Sequence, residues 1–199
     1  MRIYFIIMQL VSVMILSGCA TKAATPVQVK TGERTTLAFT GKGAAAGVMM
    51  DAFLGGAGVA IGIAIDEGIA KDITENILKP PATFNVVSVV EKNILALKSE
   101  RKSFQILKGS DAPPKNSVSV VVDTYGFRSF PGEGDKVTAW IKLRFIEKTK
   151  ESIVNYPADF ESPKAIDLSE VKTNSKVATV ALEDAITLSI NKWFAANGT

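Results

Sequence analysis

The sequence predicts an α+β fold, in which an antiparallel β-meander packs against a C-terminal amphipathic helix. Between residues 137 and 146 apolar and polar side chains alternate, as in a strand with one buried face. From Leu182 to Phe194 apolar residues recur at three- and four-residue spacing, which is the stripe of a helix packed on a core. A stretch rich in Gly and Ala, residues 43–79, precedes this domain and predicts a helix or a helical hairpin.

The first 18 residues have the features of a secretory signal peptide. Arg2 supplies a positive charge, and the apolar run from Ile3 to Leu16 is short for a membrane span. Two small residues and then the only cysteine of the chain, Cys19, follow this run. The order resembles the lipobox of bacterial lipoproteins, whose signal is cut before the cysteine. The resemblance implies that Cys19 carries diacylglycerol on its thiol and an acyl chain on its amino group.

The residue after the cysteine bears on localisation. In the lipobox family an aspartate there commonly retains the protein in the inner membrane, whereas this chain has Ala20. The resemblance therefore implies a lipid anchor in the outer membrane of a Gram-negative cell, with the domain on its periplasmic face. Burial of each acyl methylene contributes about 0.8 kcal/mol to such anchoring. An uncleaved N-terminal membrane helix with an incidental cysteine is the alternative.

The composition narrows the chemistry. The chain of 199 residues contains no histidine, and its formal net charge is +3. Without imidazole, the commonest general base and metal ligand are missing, and a lipidated Cys19 offers no thiolate. The near-neutral charge gives no basis for binding nucleic acid. We therefore expect no enzyme activity, metal, cofactor or small-molecule substrate. A hydrolase that uses carboxylates alone is the least favoured of the functions considered.

Residues 19–42 and 43–79 form two segments of different character. The first is small and polar from Ala20 to Glu33, which predicts a flexible tether, with a short strand from Thr35 to Thr40. In the second, small residues recur every four positions, as where helix backbones approach closely. We predict a helix from Ala57 to Leu78, preceded by a shorter one from about Ala44 to Leu54, with Gly55-Gly56 as the bend. The predicted helix-packing positions are Gly43, Gly47, Gly56, Gly58, Gly62 and Gly68.

The same segment raises the question of membrane insertion. Its uninterrupted apolar run, Ala52 to Ile65, would extend roughly 21 Å as a helix, and a hydrocarbon core is about 30 Å thick. Asp51 and Asp66 bracket the run. In composition and spacing it resembles the glycine-zipper segments of envelope lipoproteins, including surface-exclusion lipoproteins of conjugative plasmids. Two alternatives follow for this segment: packing against protein as a helix or helical hairpin, and membrane insertion, alone or as an oligomer.

Residues 80–199 are predicted to form the α+β periplasmic domain. Strands are expected at 83–90, 94–98, 103–107, 117–127, 137–146 and 152–156. The last helix begins near Thr173 to Ser175 and ends at Asn197-Gly198. In outline this domain resembles the small α/β domains of envelope lipoproteins that serve as synthase activators, transport auxiliaries or assembly factors. We therefore expect a lipid-anchored envelope protein that acts by binding other envelope proteins or itself.

Overall fold

The computed structural model describes residues 23–33, 35–43, 57–78, 83–97, 103–108, 114–130, 132 and 134–197. Within these residues lie seven strands: β1 Thr25–Thr31, β2 Leu37–Thr40, β3 Phe104–Ile106, β4 Val118–Arg128, β5 Lys136–Glu147, β6 Lys150–Tyr156 and β7 Ala165–Asp167. The same residues include four helices: α1 Ala57–Ile77, α2 Val86–Ala96, α3 Leu168–Thr173 and α4 Ser175–Asn197.

The strands form one mixed sheet in the order β3-β1-β4-β5-β6, with β2 beside β4 and β7 beside β5. The predicted α+β class is confirmed. The strands β4, β5 and β6 pair antiparallel, but β1 and β2 run parallel to β4, and β3 runs parallel to β1. The prediction of an antiparallel sheet therefore fails for the first three strands. The helices α1 and α2 lie between β2 and β3 in the chain, and such crossovers are what connect parallel strands.

The strands β1 and β2 pair with the same edge of β4, one after the other. Residues 27–31 pair with the first half of β4 and residues 37–40 with the second half, on either side of a register shift at Asp123. At this bulge the Gly32 N–H donates to the Val122 carbonyl at 3.0 Å, and the Thr35 hydroxyl donates to the same carbonyl at 2.9 Å. Residues 25–31 fall within the predicted tether; in the structure they are instead a strand of the sheet.

The four helices pack around one hydrophobic core on a single face of the sheet. That face carries the buried apolar residues of β5, among them Ile141 and Phe145, as their alternation predicts. The Trp193 ring of α4 stacks on Phe145 with centroids 4.4 Å apart. The C-terminal helix is confirmed, and the Asn174 side chain accepts from the N–H groups of Lys176 and Val177 at its start.

The helix α2 corrects the sequence prediction of strands at 83–90 and 94–98. The Asn85 side chain accepts the Ser88 N–H at 3.0 Å and caps the helix. Val86, Val90 and Ile94 are buried, and their four-residue spacing places them on one helical face. The β-branched residues of this segment favour strands locally, but the cap and the burial of one stripe against the sheet outweigh that preference.

Candidate functional site: the α1 tip

The helix α1 has two halves with opposite surroundings. In its second half, one face is buried in the core, where Ile73 and Ile77 are 0% and 1% exposed. The other face is exposed and polar, and there Lys71 forms an ion pair with Glu75 at 4.0 Å. Its first half, residues 57–65, contains no charged residue. We call residues 57–65 the α1 tip.

Three large apolar side chains of the α1 tip face solvent. Ile63 is 56% exposed, Ile61 38% and Ile65 37%, and Ala60 and Ala64 beside them are also exposed. Isolated exposed apolar residues are ordinary on protein surfaces, but several of them within nine residues of one helix, with no charged residue among them, are typical of an interaction site.

The α1 tip projects beyond the sheet. The strand β2 ends at Thr40 opposite Arg128, the last residue of β4, and the next residue, Gly41, donates its N–H to Asp66 of α1. From Asp66 the helix runs back along the sheet to Ile77, whose carbonyl accepts the Phe84 N–H, and the Phe84 ring lies 6.0 Å from Tyr125 of β4. The nine residues of the tip therefore extend about 13 Å past Asp66 at the end of β4.

A close backbone contact fixes the base of the α1 tip. The Asp66 carboxylate accepts the N–H of Gly41 at 3.1 Å and that of Gly43 at 2.6 Å, where Lys42 and Gly43 begin a helical turn. A Cβ atom on Gly43 would lie 1.7 Å from the Gly62 carbonyl oxygen. Only glycine at position 43 permits this approach.

An ion pair at the same place ties the junction to the loop before β5. The Lys42 ammonium lies 2.9 Å from the Asp135 carboxylate and also donates to the Gly134 carbonyl. The hydrogen bond that Lys42 donates to the Asp135 carboxylate, together with the positive charge of Lys42, holds the pKa of Asp135 below its usual value. Residues 41–43 thus connect the sheet, the α1 tip and the β4–β5 loop.

The structure brings two of the six predicted helix-packing glycines together and separates a third. Gly43 lies against Gly62, as described, and Gly62 is buried. Gly58 is part of α1. Apart from its chain neighbours and the backbone of its own helix, Gly68 has no atom of the described residues within 4 Å of the place where its Cβ would lie. Cys19, Gly47 and Gly56 lie outside the described residues.

In the sequence, Asp66 stands out only as a charge that ends the apolar run. In the structure its carboxylate also accepts two backbone N–H groups. The available signal is a glycine pair, Gly41 and Gly43, upstream of an aspartate, and the sequence does not show that these residues meet.

Two adjoining clefts lie elsewhere, between β7 and α4. Their volumes are about 370 and 290 Å³, and Lys164, Ile166 and Ala181 line both. In the larger cleft Asp167 forms an ion pair with Lys136 at 2.8 Å, and this hydrogen bond raises the pKa of Lys136. The Asp167 carboxylate is thus already paired with a cation.

The described residues contain no group of three or more His, Cys, Asp or Glu side chains placed to hold a metal ion. Among the helices of these ranges, none is both long enough and apolar enough to cross a membrane. Comparison of the chain with protein-family models, with curated proteins and with solved structures finds no match.

Proposed function

We propose that this chain is a lipid-anchored protein of the cell envelope that acts without catalysis, by binding another protein through the α1 tip. The observation that carries the proposal is the exposed apolar surface of the tip, with Ile63 more than half exposed. Covering such a surface is favourable at roughly 25 cal/mol per Å², and a helix that projects past its own domain is well placed to be covered.

The anchor part of the proposal rests on the sequence of residues 1–19. In cells, Cys19→Ser should abolish labelling of the protein by fatty acid and release it from the membrane fraction. The control is Ser17→Ala, which keeps the cysteine and the small residues before it. A Cys19→Ser protein that still sediments with outer membranes at high salt would contradict the lipid anchor.

The binding part predicts that the partner contacts the α1 tip. In-cell crosslinking from a photoreactive residue at position 63 should capture one or a few defined envelope proteins, or a second copy of the chain. The double substitution Ile61→Gln with Ile63→Gln should remove the same adducts from a crosslinker at position 65. A matched control is Leu188→Gln on α4, where a leucine is 45% exposed. Equal capture by both variants would contradict a role for the tip.

The alternative function is membrane insertion, in which the Gly-rich segment oligomerises in the bilayer. The exposed isoleucines are compatible with lipid as well. However, the apolar run from Ala52 to Ile65 is shorter than the hydrocarbon core and is flanked by Asp51 and Asp66. A longer helix that spanned the core would have to bury an aspartate, which costs about 2.5–3.5 kcal/mol or more at the bilayer centre. We therefore favour a protein partner.

One experiment separates the two functions. A soluble form that starts at Ala20 should stay monodisperse without detergent if the segment packs against protein. Gly58→Leu with Gly62→Leu should then reduce stability or self-association, because bulky side chains where backbones meet cost about 1–3 kcal/mol. If the wild-type soluble form requires detergent, and the leucines improve its insertion, the alternative replaces the proposal.

A further inference from the structure

The place where the sheet begins bears on how the domain sits on its anchor. The strand β1 starts at Thr25, six residues after Cys19. A fully extended chain covers at most 3.3–3.6 Å per residue, so the lipid-bearing residue lies no more than about 21 Å from Thr25. The start of β1 is therefore held near the surface of the membrane that takes up the lipid.

The charged residues at this end of the sheet are mostly basic. Val27 of β1 is opposite Val118, which begins β4 and in turn faces Glu147 at the end of β5. Lys115 shortly precedes β4, Lys148 lies in the turn between β5 and β6, and Lys150 is the first residue of β6. We call this the basal end, defined by Thr25, Lys115–Val118 and Glu147–Lys150.

The basal lysines are available to an anion. Lys115, Lys148 and Lys150 are all exposed, and within the described ranges none of them forms an ion pair. Lys150 donates a hydrogen bond to the Asn197 side chain at 3.3 Å, a neutral partner. Glu147 is the one acid in the defined basal end.

The α1 tip lies at the opposite end of the sheet. The first and last residues of β4, Val118 and Arg128, are ten residues apart, or about 33 Å along a strand. The tip extends past the Arg128 end, because Asp66 bonds Gly41 directly after β2.

We propose that the basal end docks on the anionic phospholipid headgroups of the anchoring membrane through Lys115, Lys148 and Lys150, so that the α1 tip points away from that membrane. The inference rests on the lipid anchor of the proposed function. Basic side chains near an anionic surface each strengthen partitioning about fivefold. For a domain already tethered by lipid, that strengthening decides which side faces the bilayer, and it turns the tip toward partners farther from the surface.

The lipidated chain offers a direct test, because its only cysteine carries the lipid. A single cysteine is introduced either at Asn116, which is exposed at the basal end, or at Gly68, whose Cβ position is open. Each protein is labelled with a fluorescent donor and reconstituted in vesicles that carry an acceptor on their headgroups. With phosphatidylglycerol in the vesicles, energy transfer should be several-fold higher from position 116 than from position 68.

Charge variants test the cause of this difference. Lys115→Gln with Lys148→Asn should shrink it, as should vesicles of phosphatidylcholine alone or added salt; asparagine is chosen because Lys148 has a φ of 56°, which asparagine tolerates. The matched control is Lys164→Gln with Lys176→Gln, which removes two lysines beside the β7–α4 clefts and should leave the difference unchanged.

The outcomes separate this inference from the anchor itself. Equal transfer from both positions, stronger transfer from position 68, or an equal effect of the control variant overturns the docking of the basal end. If instead a high-salt wash removes the protein from the vesicles, Cys19 carries no lipid, and the anchor and the inference fail together.

Discussion

The two halves of α1 belong to one unbroken helix but have different surroundings. Ile73 and Ile77 are buried among the core residues, whereas Ile61 and Ile65, at the same four-residue spacing, are exposed, as is Ile63 between them. Repetition of isoleucine along a helix therefore does not by itself indicate core packing. The two halves differ in what they pack against. The second half lies over the sheet, whereas the α1 tip extends beyond the end of the sheet.

The largest expected effect comes from exchanging isoleucine for alanine on either side of this boundary. Ile73→Ala should lower the free energy of unfolding by about 2–5 kcal/mol, because it removes a fully buried side chain and leaves a cavity. Ile63→Ala should change it by less than about 0.5 kcal/mol. Urea denaturation followed by circular dichroism measures both. Similar losses would mean that the tip is buried in the isolated protein.

A second comparison concerns glycines on the two sides of Asp66. Gly43→Ala should destabilise the protein by about 1–3 kcal/mol, since its Cβ would collide with the Gly62 carbonyl. Gly68→Ala should stabilise it by up to about 1 kcal/mol, because alanine favours the helix and the space is open. The same denaturation measurement decides, and a neutral Gly43→Ala would show that the close contact is not maintained in solution.

The boundary residue itself gives a smaller effect. Asp66→Asn leaves one acceptor oxygen for two backbone N–H groups, those of Gly41 and Gly43, and places an amide donor beside one of them. We expect a loss of about 1–2 kcal/mol. The control is Glu67→Gln on the exposed side of the helix. Amide hydrogen exchange at Gly43 should accelerate in Asp66→Asn alone; unchanged exchange there would argue against the double hydrogen bond.

Much of the α+β outline was predictable because its signals are local. The alternation in β5, the stripe of α4 and the extent of α1 each follow from side chains spaced along one element. They required no knowledge of which elements meet.

The remainder depended on pairing between distant segments. Residues 25–31 have the composition of a tether, yet they pair with β3 and β4, and Val27 is 1% exposed within the hydrophobic core. The valines of α2 favour a strand locally, but Asn85 caps a helix there and the helix packs on the sheet. The glycine spacing marks the segment that contains the candidate site, but the exposure of Ile63 follows from where the sheet ends, and no local pattern contains that information.

The smallest expected effect concerns the ion pair that holds the base of the α1 tip to the β4–β5 loop. The pKa of Asp135 is lowered from 3.8 by its hydrogen bond to Lys42 and by the charge of that lysine. A carboxyl whose pKa is lower in the folded state stabilises that state above its unfolded pKa and loses this contribution as the pH falls through the folded value. The difference in unfolding free energy between wild type and Asp135→Asn should therefore be present at pH 5 and shrink toward pH 2. Because Asp135 is largely exposed, salt should screen the difference as well. Denaturation curves of both proteins across this range provide the measurement, and a difference that stayed constant with pH and salt would show that Asp135 acts through packing of the loop rather than through its charge.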